Sequence, residues 1–345
     1  MRVAVVGASG YTGLELLRIL TRHPEFEVVA ATSEQNAGRP LGEAFPSLRG
    51  QLDLTFEALA PEVLAPRVDL AFTALPHAAS APTVKALYEA GVRVVDLSAD
   101  FRLHDLATYV ARYGEHAAPE LLPEAVYGLP ELHREAIRGT KLVAAPGCYP
   151  TGTLLPLAPV LRSGRVAPDG LLVDAKSGVS GAGRKLDARY LFAEIDDNCT
   201  AYAVGAAHRH VPEIEQEASA LAGAPVALTF VPHLLPTIRG IVTTVFARPE
   251  GALSAADARG LLEAAYADER FVRVLPEGET PSLGAVRGSN FCDVAAFDDP
   301  RTGTLILLSA LDNLVKGASG QAVQCANLMA GFPEETGLLE LALVP

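Results

Sequence analysis

No stretch of these 345 residues holds the roughly 18 consecutive apolar residues that a membrane-spanning helix needs, so no membrane role is expected. Cysteine is sparse and scattered. Cys148, Cys199, Cys292 and Cys325 form no CxxC pair and show no metal-ligand spacing. That argues against a zinc site and a disulfide framework, and points to a reducing, cytoplasmic setting. Basic residues are scarce as well: 28 Lys and Arg face 41 Asp and Glu, a net charge of −13. Nucleic acid and anionic membranes are poor partners for such a chain, although a local basic pocket for an anionic substrate is still allowed. There is no signal-peptide pattern, no internal repeat and no low-complexity linker. What remains is an ordinary globular composition, 49% hydrophobic and 20% charged, long enough for two domains.

Residues 2–6 form an apolar β-run. Gly7-Ala8-Ser9-Gly10-Tyr11-Thr12-Gly13 follows, and then Leu14, Leu16, Leu17 and Leu20 recur at helical spacing. In that order, strand, glycine turn and helix cradle a phosphate with backbone N–H groups; a plain tight turn is the alternative. The next strand, 27–32, ends in Thr32 and Ser33, with Arg39 shortly after. An NAD-preferring site places an acidic ribose clamp there. A hydroxyl and a cation suit a 2′-phosphate, so NADP(H) is favoured, although Glu34 is close. Strand runs at 68–73 and 92–97 flank a helical stretch from about residue 78 to 90, which gives a doubly wound, Rossmann-type parallel sheet. Leu75-Pro76-His77 falls at a strand's C-terminal end, where such sheets bind ligands; His77 reads as a turn residue or as a chemical group.

Cys148 is the most informative residue. It follows a short buried strand, 141–145, and a Pro146-Gly147 break, and it precedes an apolar helix. A thiol at a helix N-terminus is favoured as the reactive thiolate; a small buried hydrophobe is the rival reading.

From about Thr151 the pattern changes. Strand runs at 170–175, 226–231, 240–247 and 303–310 predict an α+β domain on a mixed or antiparallel sheet. Lys176-Ser177-Gly178-Val179-Ser180-Gly181-Ala182-Gly183-Arg184-Lys185 combines glycines, hydroxyls and cations, and reads as an anion-binding loop or a surface loop. His208-Arg209-His210-Val211-Pro212-Glu213 precedes a Pro-initiated helix and offers a base and a carboxylate clamp. A metal held by His208, His210 and Glu213, or a solvated helix start, are the rival readings. Residues 311–324 begin a helix whose Gly317, Ala318, Ser319 and Gly320 allow close approach of a backbone or cofactor. The expected division is a dinucleotide-binding domain, 1–147, completed by a C-terminal helix at about 313–345, and a catalytic α+β domain, 148–312.

Six segments, GASGYTG (7–13), LSADFR (97–102), PGCYPTG (146–152), KSGVSGAGRK (176–185), HRHVPEIEQ (208–216) and DNLVKGASGQAVQ (312–324), together resemble the N-acetyl-γ-glutamyl-phosphate reductase family of arginine biosynthesis, relatives of aspartate-semialdehyde dehydrogenase. The resemblance implies NADPH-dependent reduction of a small acyl phosphate through a Cys148 thioester, with release of phosphate and no metal. It also implies a homo-oligomer, dimer or tetramer. It places Gly7, Ser9, Gly10, Tyr11, Thr12, Gly13, Ser33, Arg39, Leu75, Pro76, Ser180, Gly181, Asn313 and Gly317 at the cofactor. Arg102, Lys176, Ser177, Arg184 and Arg209 fall to the substrate. His210 is the preferred acid and base, His208 the alternative, and Glu213 orients a histidine. Two other readings stand: a reductase of a carrier-bound aminoadipyl phosphate in lysine biosynthesis, which tends to show Asn-Ala after its cysteine rather than Tyr149-Pro150, and a non-redox cysteine acyl hydrolase or transferase, which leaves the nucleotide loop idle.

Overall fold

The computed structural model describes residues 1–184 and 186–344; Lys185, part of the proposed anion loop, and Pro345 lie outside the described residues. The chain divides into two compact units. The first is Met1–Pro146 with Ala318–Leu339, and the second is Gly147–Gly317 with Glu340–Pro345.

The first unit is built on β1 (Arg2–Val6), β2 (Glu27–Ala31), β3 (Leu70–Thr73), β4 (Arg93–Asp96), β5 (Val126–Tyr127) and β6 (Leu142–Ala144), in the order β2-β1-β3-β4-β6-β5 with every pairing parallel. All of β3 and β6 is buried, as a sheet covered on both faces requires. Strand order reverses between β1 and β3, so the crevice at their C-terminal ends lies beside the Gly7–Gly13 turn and the 74–80 loop. The helix expected from about residue 78 is shorter, Ala81–Glu89: Ala78 is left-handed (φ 62°) and Pro82 sits in the first turn. The helix Gly320–Ala330 is buried along nearly all its length and belongs to this unit. Gln321 anchors it to the Gly128 carbonyl (2.8 Å) and Asn327 to His23 Nε2 (2.9 Å). A π-helical turn, Val315–Ser319, precedes it, where the sequence reads as continuous helix.

The second unit carries β7 (Leu171–Gly178), β8 (Thr200–Ala201), β9 (Leu228–Leu235), β10 (Ile241–Ala247), β11 (Val272–Val274), β12 (Cys292–Asp299) and β13 (Thr304–Leu311) in one mixed sheet, ordered β11-β12-β13-β10-β7-β9-β8. Only β7–β9 and β11–β12 are parallel. β12 was not apparent in the sequence, because Asp293, Asp298 and Asp299 interrupt its apolar run. β7 runs three residues past the expected 170–175, so Lys176, Ser177 and Gly178 are strand rather than loop.

The helix Cys148–Arg162 packs its buried length on this sheet despite carrying Pro156 and Pro159. Each proline removes the N–H that would meet the carbonyl four residues earlier, leaving the Gly152 and Leu155 oxygens without helical partners. Tertiary contacts replace both. The Ser309 hydroxyl donates to the Gly152 carbonyl at 2.5 Å and the Tyr266 hydroxyl donates to that of Leu155. Gly152 also lets the helix approach the sheet: a Cβ there would lie 3.1 Å from Thr243 Oγ1 and 3.4 Å from Ser309 Oγ.

Candidate active site

Cys148 is the first residue of that 15-residue helix, with Gly147 as its N-cap in an extended conformation. The Gly147 carbonyl accepts from the Thr151 N–H and hydroxyl, both at 3.0 Å, which starts the helix firmly at the thiol. The positive end of the helix dipole favours the thiolate there.

His210 is buried and packs on this helix start. A Cβ on Gly147 would lie 2.6 Å from His210 Nε2, so the imidazole occupies the space that only glycine leaves at the N-cap. His208 is also buried, in a cage of rings. Tyr149, Phe230 and Tyr202 lie 5.3, 5.1 and 5.7 Å away by ring centroid, and His208 Nδ1 accepts the His210 N–H at 3.1 Å. That hydrogen bond makes His208 a support for the His210 backbone. Between the two, Arg209 is exposed on a turn that the Val211 N–H closes by donating to the His208 carbonyl at 3.1 Å. The Glu213 carboxylate, expected to orient a histidine, accepts the Gly147 N–H at 2.8 Å. Among the described residues, no group of three His, Cys, Asp or Glu side chains is arranged to hold a metal ion.

Sequence reasoning missed the phenols beside this site. Tyr149 and Tyr202 share a hydrogen bond of 2.8 Å. Burial, with lesser effects from its surroundings, pushes the Tyr202 hydroxyl up to about 12, and burial raises Tyr149 further. Both are therefore neutral at physiological pH, one donating its O–H to the other's oxygen. The only sequence signal was an aromatic residue directly after the thiol.

Gly317 was assigned to the cofactor. Its nearest neighbour is Cys148, whose Cβ would be 2.8 Å from an added Gly317 Cβ and whose Cα 3.2 Å. The preceding turn is held by Asp312, fully buried, which accepts from Leu314 N–H (2.8 Å), Val315 N–H (3.2 Å) and Gly288 N–H (2.7 Å). Gly317→Ala must displace Cys148, and misplacement of a reacting group by about 1 Å can cost about 10²-fold in rate. A loss of that order in kcat is expected from a folded Gly317→Ala protein, checked by steady-state kinetics beside circular dichroism. Wild-type kcat would show that the contact is not needed.

Asn313 and Ser180, also assigned to the cofactor, bond each other: Asn313 Nδ2 donates to Ser180 Oγ at 2.9 Å, while Asn313 Oδ1 accepts the Gly240 N–H at 2.7 Å. Gly181 lies close by, 3.3 Å from Ser177 Oγ when given a Cβ. Strand alternation separates two residues assigned to the substrate. Ser177 points inward and is buried, whereas Lys176 points to the other face and pairs with Asp174 at 2.5 Å. Arg184 is exposed.

In the first unit stands Arg102, expected at the substrate. It is buried, with Nε on the Ala145 carbonyl (2.8 Å) and Nη2 on that of Leu97 (2.9 Å). The rest of LSADFR is similarly employed. Asp100 accepts the N–H groups of Ala78, Ser80 and Ala81, at 2.7, 3.0 and 3.0 Å, and so fastens the 74–80 loop. His77 Nδ1 accepts the Ala99 N–H at 2.9 Å, the turn role.

The glycine turn fits a dinucleotide phosphate. Gly7 has φ +77°, and a Cβ there would meet the Ala74 carbonyl at 2.8 Å. Gly13 lies so close to the Ala8 backbone that a Cβ would stand 2.5 Å away. Gly10, the N-cap of the helix Tyr11–Leu20, has open space around its Cα and no side-chain cap on that helix. Glycines one and three thus serve chain geometry, while the middle one leaves the N–H groups near Ser9, Tyr11 and Thr12 approachable. Thr32 Oγ1 accepts the Gly7 N–H (3.2 Å) and holds the loop. Ser33 is buried beside it, and Arg39, exposed, rests one guanidinium N–H on the Glu43 carbonyl at 3.0 Å. Leu75 abuts the Gly7 position, and Pro76 is exposed. No helix among the described residues is long and apolar enough to cross a membrane.

Comparison with known proteins agrees with this geometry. Residues 2–140 match the semialdehyde dehydrogenase NAD binding domain, and residues 148–313 match the semialdehyde dehydrogenase dimerisation domain. A protein of Geobacter sp. (strain M21) is 55% identical over 345 residues, the whole of both chains, and one of Laribacter hongkongensis is 50% identical over 346, again the whole of both; each is named N-acetyl-gamma-glutamyl-phosphate reductase. Among solved structures, aspartate semialdehyde dehydrogenase with NADP from Candida albicans matches with a TM-score of 0.73 at 19% identity, covering 95% of this chain and 98% of that one. The Vibrio cholerae aspartate semialdehyde dehydrogenase II, complexed with ASA, matches at 0.72 and 19%, covering 96% and 98%. These structures establish an aspartate semialdehyde dehydrogenase-like fold, and by its full-length identity to the named relatives the chain belongs to the N-acetyl-gamma-glutamyl-phosphate reductase family.

Proposed function

We propose that this protein reduces N-acetyl-γ-glutamyl phosphate to N-acetylglutamate semialdehyde and inorganic phosphate, with NADPH as reductant. The observation that carries the substrate is identity of 50–55% across the whole of both chains to relatives sharing that one name. The geometry supports the chemistry. Cys148 attacks the acyl carbonyl, its sulfur–carbon bond forms, the phosphate leaves with the carbon–oxygen bond electrons, and a thioester remains. His210, against the helix start, takes the thiol proton and returns one to the oxygen that gains charge on reduction; that oxygen then loses its proton as the carbon–sulfur bond breaks, which releases the aldehyde and leaves its electrons on the Cys148 thiolate. Bound NADPH supplies the hydride. Gly7–Gly13, Ser33 and Arg39 hold it, Ser33 and Arg39 at the 2′-phosphate. The Tyr149–Tyr202 pair offers a neutral O–H donor, and Arg209 and Arg184 offer charge to the substrate's anionic groups. A cytoplasmic homo-oligomer, assembled through the second unit, completes the proposal.

The test runs the reaction backwards with N-acetylglutamate semialdehyde, phosphate and NADP⁺, following NADPH absorbance. The acetylglutamate aldehyde should exceed the aminoadipate and aspartate aldehydes in kcat/KM. One charged hydrogen bond at the 2′-phosphate is worth about 1.5–3 kcal/mol, so NADP⁺ should exceed NAD⁺ roughly ten- to hundredfold. Faster turnover of the aminoadipate aldehyde would move the substrate to the lysine-pathway class. Parity of the two nucleotides would remove the role given to Ser33 and Arg39.

A further inference from the structure

In the helix Val211–Ala222, His210 is the N-cap and Glu213 stands at the third helical position. A glutamate at that position ordinarily folds back onto the N–H of its own N-cap. Here that N–H is taken by His208 Nδ1 at 3.1 Å, and the Glu213 carboxylate reaches instead to the N–H of Gly147 at 2.8 Å, the N-cap of a different helix. Glu213 is 2% exposed and the bond is buried. We infer that Glu213 is a positioning residue for the nucleophile, a cap exchanged between two helices that fixes Gly147 beneath the His210 ring and so sets the distance from imidazole to thiol. The usual reason to put a carboxylate here, to favour a histidine's charge, does not require this bond. A carboxylate beside a thiolate also opposes ionisation of the thiol, so the gain is placement rather than activation.

The inference rests on Cys148 being the nucleophile, and two variants separate reach from charge. Glu213→Gln keeps an acceptor oxygen at full reach without charge, and Glu213→Asp keeps charge one methylene short. Glu213→Asp should lose about 10–10²-fold in kcat with KM changed less than about threefold. Glu213→Gln should recover most of that loss. Alkylation of the half-buried Cys148 by iodoacetamide at pH 7, read on its own peptide because Cys199 is exposed, reports placement without assuming a role for the thiol. It should slow in Glu213→Asp and hold or quicken in Glu213→Gln. Glu213→Gln failing as badly as Glu213→Asp, or Glu213→Asp matching wild type in both assays, overturns the inference. Alkylation that responds as expected while turnover does not would instead remove Cys148 from the nucleophile's role.

Discussion

Cys148→Ser is expected to lower turnover at least about 10³-fold while leaving NADP⁺ affinity unchanged, since losing a covalent nucleophile costs at least that much. Two effects combine. A helix N-terminus that favours a thiolate near neutral pH cannot ionise a hydroxyl to a comparable extent. An oxygen ester, were one formed, accepts hydride less readily than a thioester. The substitution is nearly isosteric on a buried helix whose carbonyls are held by Ser309 and Tyr266, so the fold should survive it. Steady-state kinetics and a cofactor titration on the same preparation check both halves. A Ser variant that keeps more than a few per cent of wild-type kcat excludes Cys148 as the nucleophile.

His210→Asn is expected to cost about 10²–10⁴-fold in kcat, the span of a general acid–base group, with a small change in KM. The ring lies over Gly147, and the asparagine amide leaves that space partly filled. His208→Asn should behave differently. His208 supports the His210 backbone and is packed among Tyr149, Tyr202 and Phe230, so its loss should reduce stability as well as rate. Rapid-quench measurement of thioester formation decides between them. A wild-type thioester rate in His210→Asn, with a slow one in His208→Asn, would reverse the assignment.

The parts of this protein governed by local chemistry were legible in its sequence. Gly7–Gly13 between an apolar strand and a leucine-spaced helix announces a phosphate turn, because positive φ and close backbone approach admit only glycine. Pro146-Gly147 before an apolar run announces a thiol at a helix start for a similar reason. The alternating strands and helices of the first unit follow from hydrophobic period. Other features depended on partners far away in the chain. Arg102 reads as an anion clamp, and that its Nε and Nη2 meet the Ala145 and Leu97 carbonyls could not be read from composition, which does not say which acceptor a guanidinium will find. Lys176 and Ser177 looked like one loop, yet strand pairing with β9 and β10 sends them to opposite faces. Gly317 reads as room for a backbone or a cofactor, and only the tertiary structure shows that it admits Cys148, 169 residues earlier in the sequence. The two helix-breaking prolines behind Cys148 are tolerated only because Ser309 and Tyr266 meet the carbonyls they strand. By itself the sequence determined the two local features, a phosphate turn and a thiol at a helix start, since each is written in a few adjacent residues. Tertiary structure decided which histidine lies against the N-cap Gly147 and which carboxylate accepts its N–H, because those distances depend on how helices begun more than sixty residues apart meet on one sheet.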